Sequence, residues 1–280
     1  MAELFSYWPL MLTLSAVGAV AGLSSGLFGI GGGSVMVPVL FFAFISLGVP
    51  EDVVMHCAVA TSSSVIIFNA MRSVKSHHGH GAVDWDLLWP KNPLRSYALW
   101  IGLGAFAAAI WIAPRLSGAA MLLIFAVIGS LVALKFIFGQ PDWRLRDDVP
   151  GGTARPVVGS TVGAISAIMG IGGGSLTVPL MNMCGVPIHR AIGTASGFGL
   201  AIALPATVGF IVSGWGVAGR PAFSLGYVNV LGFAVIAAVA FLTIPLGAKL
   251  AHGMSQKRLK MIFGICLLLV AANMARKALY

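Results

Sequence analysis

A 280-residue chain in which 58% of residues are hydrophobic and only 9% are charged cannot cover itself with a water-soluble surface. Its formal charge of +9 would point to nucleic acid in a soluble protein, but here the positive-inside bias accounts for it. The lipid bilayer is therefore the expected partner and nucleic acid is not, and continuous apolar runs exclude a β-barrel, leaving an all-α, polytopic helical membrane protein.

In chain order, Met1-Ala2-Glu3 carries no positive charge ahead of the first apolar run, so the n-region of a signal peptide is lacking. Apolar runs and their breakers define five segments in a first half, about residues 8–25, 34–48, 54–72, 94–113 and 117–138. Five more follow, about 156–169, 175–185, 190–213, 224–249 and 257–279. Residues 140–155, rich in Pro, Gly, Asp and Arg, read as a cytoplasmic linker between a first membrane repeat, 1–139, and a second, 156–280. Each half carries one glycine-rich motif between its first two segments. The first copy is Gly29-Ile30-Gly31-Gly32-Gly33-Ser34 followed by Val37-Pro38. The second, 141 positions later, is Gly170-Ile171-Gly172-Gly173-Gly174-Ser175 followed by Val178-Pro179. A further match pairs Ala58-Val59-Ala60-Thr61-Ser62-Ser63 with Ala191-Ile192-Gly193-Thr194-Ala195-Ser196, which points to duplication.

Five segments per repeat is an odd number, so the second half is expected to enter the membrane from the opposite side, as an inverted repeat. Charge tests this. With the polar stretches after segments three, five, seven and nine on one side, 13 of the 17 Lys and Arg lie there; only Arg115, Arg220, Arg276 and Lys277 lie on the other. The basic side is then cytoplasmic, and both termini are expected on the periplasmic side of a bacterial inner membrane. The first two segments of each half are short: seventeen helical residues rise about 25 Å and eleven to fourteen about 16–21 Å. They read as broken, re-entrant or steeply tilted helices whose glycine turns meet near the midplane.

Ser34 and Ser175 stand where N-caps of the following helices belong, with Pro38 and Pro179 in the opening turns. Gly31, Gly32 and Gly33, with Gly172, Gly173 and Gly174, would then let a ligand approach two helix N-termini, where the dipole favours an anion without any buried Lys or Arg. The plainer alternative is that the glycines only allow close helix packing. A dinucleotide fingerprint through Gly29, Gly31 and Gly33 fails, because the second copy has His189 and Arg190 where the acidic residue belongs.

Thr61, Ser62, Ser63 and Asn69, with Thr194 and Ser196, place polar side chains inside spans. They either line a substrate path or bond between helices and back onto the preceding turn. His56, and His189 with Arg190, open segments three and eight, as coupling groups or as interfacial anchors. His77-His78-x-His80 reads as a loop without a counterpart in the second half, so no metal is expected. Cys57, Cys184 and Cys266 read as small buried hydrophobes. No paired intramembrane carboxylate, HExxH, nucleophile elbow or Walker A sequence occurs, so neither an enzyme, an ATP-driven pump nor a cofactor is expected.

These motifs, with Gly81-Ala82-Val83-Asp84-Trp85 ahead of segment four, make the chain resemble the sulfite exporter TauE/SafE family of membrane permeases over nearly its whole length. The resemblance implies transport of small sulfur-containing anions, such as sulfite, thiosulfate or organosulfonates like sulfoacetate, with export favoured over uptake. Broken helices in an inverted repeat add the expectation of a secondary transporter working by alternating access, with proton coupling through the helix-end histidines. A non-transporting membrane assembly or scaffold protein and an anion channel are the competing readings; a homo-oligomer is compatible with each. The halves differ in one respect: four fewer residues separate Val186-Pro187 from Thr194 than separate Val49-Pro50 from Thr61.

Overall fold

Apolar runs with almost no amphipathic bias leave a backbone in hydrocarbon one local solution, the helix, which satisfies its own N–H and C=O groups. The structure, a computed structural model, describes residues 8–28, 32–79, 81–139 and 146–279. Among these, ten helices of ten residues or more follow the expected segments in order. The first five are α1 (Trp8–Phe28), α2 (Gly33–Ser46), α3 (Glu51–Gly79), α4 (Tyr97–Ala107) and α5 (Gly118–Phe138). The second five are α6 (Ala154–Met169), α7 (Gly174–Met183), α8 (Ile188–Ser213), α9 (Val230–Gly253) and α10 (Gln256–Leu279). By length and composition five of them can cross a membrane: α3, α4 with its extension to Arg115, α5, α8 and α9. The protein is a multi-pass helical membrane protein.

Several boundaries differ from expectation. α1 runs three residues past the expected 8–25, to 21 residues, while α2 has 14 and α7 only 10, rising about 21 and 15 Å against a hydrocarbon core of about 30 Å. α3 runs on to Gly79, so His77 and His78 form its last turn instead of a loop, and the Trp85 indole donates to His78 Nδ1 at 3.1 Å. His80 lies outside the described residues. Residues 224–229, expected to open segment nine, form a two-stranded hairpin pairing Ser224 with Asn229 and Leu225 with Val228. Its two-residue loop begins with Gly226 at φ 57°, the left-handed geometry a tight hairpin turn needs.

Local signals set the ends. Ser96 and Ser117 cap α4 and α5 by accepting from Leu99 and Ala120 N–H groups at 3.2 Å each. α2 and α7 end alike: after each comes a Gly-Val-Pro, in which Val49 and Val186 donate to Phe44 and Met181 carbonyls at 3.0 Å.

α3 is the central helix, and α8 crosses it antiparallel, with Ser73 and Ser196 hydroxyls 2.8 Å apart. On the flanks α1 packs parallel to α9, and α6 packs parallel to α4. Both contacts use a Gly-x-x-x-Gly pair at the same station of its half: Gly18 and Gly22 face Ile236 and Ala240, and Gly159 and Gly163 face Trp100 and Ile101. A Cβ at Gly18 would fall 2.9 Å from the Ile236 carbonyl oxygen, and one at Gly22 2.5 Å from that of Ala240. α5 and α10 pack on each other antiparallel, Gly129 beside Ala271 and Gly264 beside Ala133. The outer helices expose Leu131, Leu242 and Leu269, as lipid-facing surfaces do.

Gly22→Leu and Gly163→Leu should each force the parallel pairs apart, at a cost of about 1–3 kcal/mol. Gly79→Leu, where a side chain meets open space, should change little. Thermal unfolding in detergent reads the difference, and equal effects at all three positions would count against this packing.

Candidate functional site

Helices that break inside the bundle do so here twice, between α1 and α2 and between α6 and α7. Gly29, Ile30 and Gly31 lie outside the described residues. Gly32 and Gly173, not Ser34 and Ser175, hold the N-cap positions. α2 starts at Gly33 and α7 at Gly174, so the two serines are second residues of their helices and make no cap hydrogen bond. The cap falls at the same station in both copies, although Gly32 is left-handed at φ 77°, which serine would resist, and Gly173 is not, at φ −50°. Pro38 and Pro179 correspondingly sit at the sixth helical position, past the opening turn. There they lack the N–H that would answer the Ser34 and Ser175 carbonyls.

The two junctions touch. A Cβ at Gly33 would lie 2.5 Å from Gly170 O and 2.9 Å from Ile171 Cα. Gly170, at φ 62°, would meet Val37 Cγ2 at 2.8 Å, and Gly173 would meet the Gly199 nitrogen of α8 at 2.7 Å. Close packing therefore suffices to require glycine at 32, 33, 170 and 173. The freed carbonyls at the α6 end find donors: Gly170 and Ile171 N–H groups return to Ala167 and Ser166 at 3.1 and 3.2 Å, and Ser62 donates to Gly170 O at 2.9 Å. Gly172 and Gly174 are buried in the same junction.

The hydroxyls of α3 and α8 divide into two kinds. Ser63 and Ser196 bond back to Val59 and Ile192 carbonyls at 2.9 and 3.1 Å. Thr61 and Thr194 instead reach across the halves. Thr61 Oγ1 accepts from Asn229 N–H, and Thr194 Oγ1 accepts from Asp84 N–H, each at 2.9 Å. Both partners are themselves caps: Asn229 Oδ1 accepts from Gly232 N–H at 2.7 Å and Asp84 Oδ1 from Leu87 N–H at 3.0 Å. Asn229 escaped the sequence reading and Asp84 entered it only within the Gly81-to-Trp85 motif, although Gly81-x-Val83-Asp84 and Gly226-x-Val228-Asn229 are a third internal match. They lie in connections, where hydropathy gives no segment to align. Asn69 is buried on α3, 1% exposed.

The surroundings of the two clasps differ. Asn229 is buried in the hairpin, whose Tyr227 ring stacks on His56 at 5.2 Å. His56 lies in the second turn of α3, and its Nε2–H donates to the Ala113 carbonyl at 2.9 Å. Asp84 is half-buried, and its Oδ2 accepts from Arg190 at 2.7 Å. This ion pair lines an open cleft of about 390 Å³ with Asp147, Asp148, Cys184 and Val186. Burial pushes the Cys184 thiol above its ordinary range, with Arg146 and Lys135 pulling the other way. The His189 side chain is outside what the structure describes. Cys57 and Cys184 are buried as expected, but Cys266 is exposed, on the outward side of α10. Among the described residues no group of three His, Cys, Asp or Glu is placed to hold a metal.

The family model described as "Sulfite exporter TauE/SafE" matches residues 14–274. A "Probable membrane transporter protein" of Haemophilus influenzae is 34% identical over 265 residues, covering 93% of this chain and 96% of its own. One from Methanocaldococcus jannaschii is 24% identical, with 92% of each chain covered. The "Probable membrane transporter protein YunE" of Bacillus subtilis is 25% identical, covering 95% of this chain and 98% of its own. No solved structure matches the chain.

Thr61→Val should strand the buried Asn229 N–H and cost about 1–3 kcal/mol. Thr194→Val should cost less, because water can replace the acceptor beside half-buried Asp84. Thermal unfolding of the two variants checks the order; the reverse order would contradict the difference between the clasps.

Proposed function

The chain belongs to the sulfite exporter TauE/SafE family, and from that premise we propose that it is a secondary transporter exporting small sulfur-containing anions, such as sulfite or sulfoacetate, by alternating access. One observation carries this reading: two broken-helix junctions, one from each half, meet at Gly33 and Gly170. Discontinuous helices at a repeat interface are the recurrent device by which transporters bind anions away from water. Gly31, Gly32, Gly33 and Ser34, with Gly172, Gly173, Gly174 and Ser175, bring the N-termini of α2 and α7 to the anion. Unpaired N–H groups and the positive dipole ends then replace a buried cation. Ser62 holds the junction in place through Gly170 O, and Thr61 and Thr194 tie the halves together.

The inverted-repeat arrangement has support in the packing. The pairs α1–α9 and α6–α4 exchange places when the halves are exchanged, while α3–α8 and α5–α10 map onto themselves. Charge supports the orientation. Arg115 and Arg220 lie at the end where α5 begins at Gly118 beside Glu51 and the hairpin connection meets Pro50. Arg95, Arg155 and Arg190 lie at the other, where the Arg155 guanidinium donates to Arg95 O at 2.6 Å. The second end faces the cytoplasm of a bacterial inner membrane, and both termini face the periplasm.

His56 is the group best placed to couple a proton. Its Nε2–H is committed to a carbonyl, so buried Nδ1 is left as a base without a partner among the described residues.

The test is flux in liposomes containing the purified protein. Saturable efflux and counterflow of sulfite or sulfoacetate are expected. Flux that rises without saturation marks a channel, and no flux of any sulfur oxyanion overturns the reading. His56→Gln should abolish dependence on a pH gradient at clamped membrane potential while leaving counterflow; a wild-type protein blind to that gradient removes the proton.

A further inference from the structure

Hydroxyls in helices usually satisfy themselves, and this chain follows the rule. Ser24, Ser63, Thr177, Ser196 and Thr207 each donate to the carbonyl four residues back, at 2.6–3.1 Å. Four serines do not, of which Ser213, half-buried at the end of α8, lies apart from the junctions; the other three are fully buried. Ser25, Ser166 and Ser175 are 1%, 0% and 1% exposed, and their Oγ atoms have no hydrogen-bond partner among the described residues. All three belong to the broken-helix junctions. Ser25 lies in the last turn of α1 and Ser166 in the last turn of α6, 141 positions apart and therefore at the same station of the two halves. Ser175 is the second residue of α7.

We propose that the hydroxyls of Ser25, Ser166 and Ser175 donate hydrogen bonds to the transported oxyanion. This rests on the transport reading above and deepens it. Each buried hydroxyl left without a partner disfavours the empty junction, and an occupant rich in acceptor oxygens removes that deficit. Serines at the C-terminal ends of α1 and α6 would ordinarily suit a cation, because carbonyls gather there. At α6 three carbonyls are already engaged: Ser166 O by Ile171 N–H, Ala167 O by Gly170 N–H and, just past the helix, Gly170 O by the Ser62 hydroxyl. The hydroxyls of Ser166 and, in the first turn of α7, Ser175 are polar groups left over there. Three neutral donors on separate elements match a group with several acceptor oxygens on one centre, such as sulfite or a sulfonate. Chloride also accepts hydrogen bonds from several directions, but with a single centre it cannot give each donor an oxygen of its own.

The experiment measures binding of sulfite, sulfoacetate and chloride to purified Ser25→Ala, Ser166→Ala and Ser175→Ala proteins in detergent, together with unliganded thermal stability. Each variant should bind the sulfur anions about tenfold or more weakly. Its unliganded stability should stay level or rise, which serines with a merely structural role would not give. Ser→Cys, nearly isosteric and a poor donor, replaces any alanine variant that does not fold. Wild-type affinity in all three variants overturns the assignment and leaves the transport reading standing. Loss of a sodium-induced stabilisation with anion affinity intact also overturns it, in favour of a cation. A wild-type protein that binds no sulfur oxyanion removes both readings together.

Discussion

Where a helix breaks inside hydrocarbon, its freed N–H and C=O groups have no water to turn to and must be answered by protein. This fold meets that requirement at two junctions and brings the junctions into contact. Ser62 serves the α6 end from α3, the Gly173 turn presses on the backbone of α8, and Gly33 sits against Gly170 without room for a side chain. The central antiparallel pair α3 and α8 is therefore what both junctions lean on. The flanking parallel pairs follow, because α1 and α6 must each lie against a full-length helix for their interrupted partners to be held.

The halves are also fastened reciprocally. A threonine of each half accepts from the backbone of a capping turn in the other, so neither turn moves without disturbing the opposite half. The caps differ in charge. Asn229 is neutral and closed over by the hairpin, while Asp84 is ionic, paired with Arg190 and open to a cleft. A half-exposed ion pair contributes little net stability, roughly 0–1 kcal/mol, so it can be broken at small cost. The neutral clasp is the sturdier of the two.

Much of this was legible in the residues. Ten apolar runs gave ten helices because uninterrupted hydrophobic sequence has few alternatives in lipid, and repeated glycines marked both breaks. The caps were misplaced because a serine preceding an apolar run is the ordinary signal, whereas both helices begin one residue earlier, at the last glycine, whether the glycine before it is left-handed, as Gly32 is, or not, as Gly173 is not. His77 and His78 were taken out of α3 by their polarity, though the helix carries on for nearly two turns beyond Arg72. The Asp84 and Asn229 clasps were hidden for a different reason. Each joins residues more than a hundred positions apart, and such a pairing exists only once the helices are packed.

The one-turn deficit in the second half has a geometric reach beyond the repeat. α7 is four residues shorter than α2, and α8 reaches Thr194 four residues sooner than α3 reaches Thr61. Four residues is close to the 3.6 of a helical turn, so each omission keeps the same face inward while shortening its element by about 6 Å. The space lies beside Gly185, Pro187 and Arg190, where the cleft opens; at the other end His56 and Tyr227 fill the corresponding position. Two mouths built unequally do not close with equal ease. In the proposed carrier, that inequality would set how the unloaded population divides between the two orientations, and so the apparent affinity offered on each side. In the proposed carrier, gradients alone would decide the direction of net flow, while the missing turns would bias the side from which the protein waits.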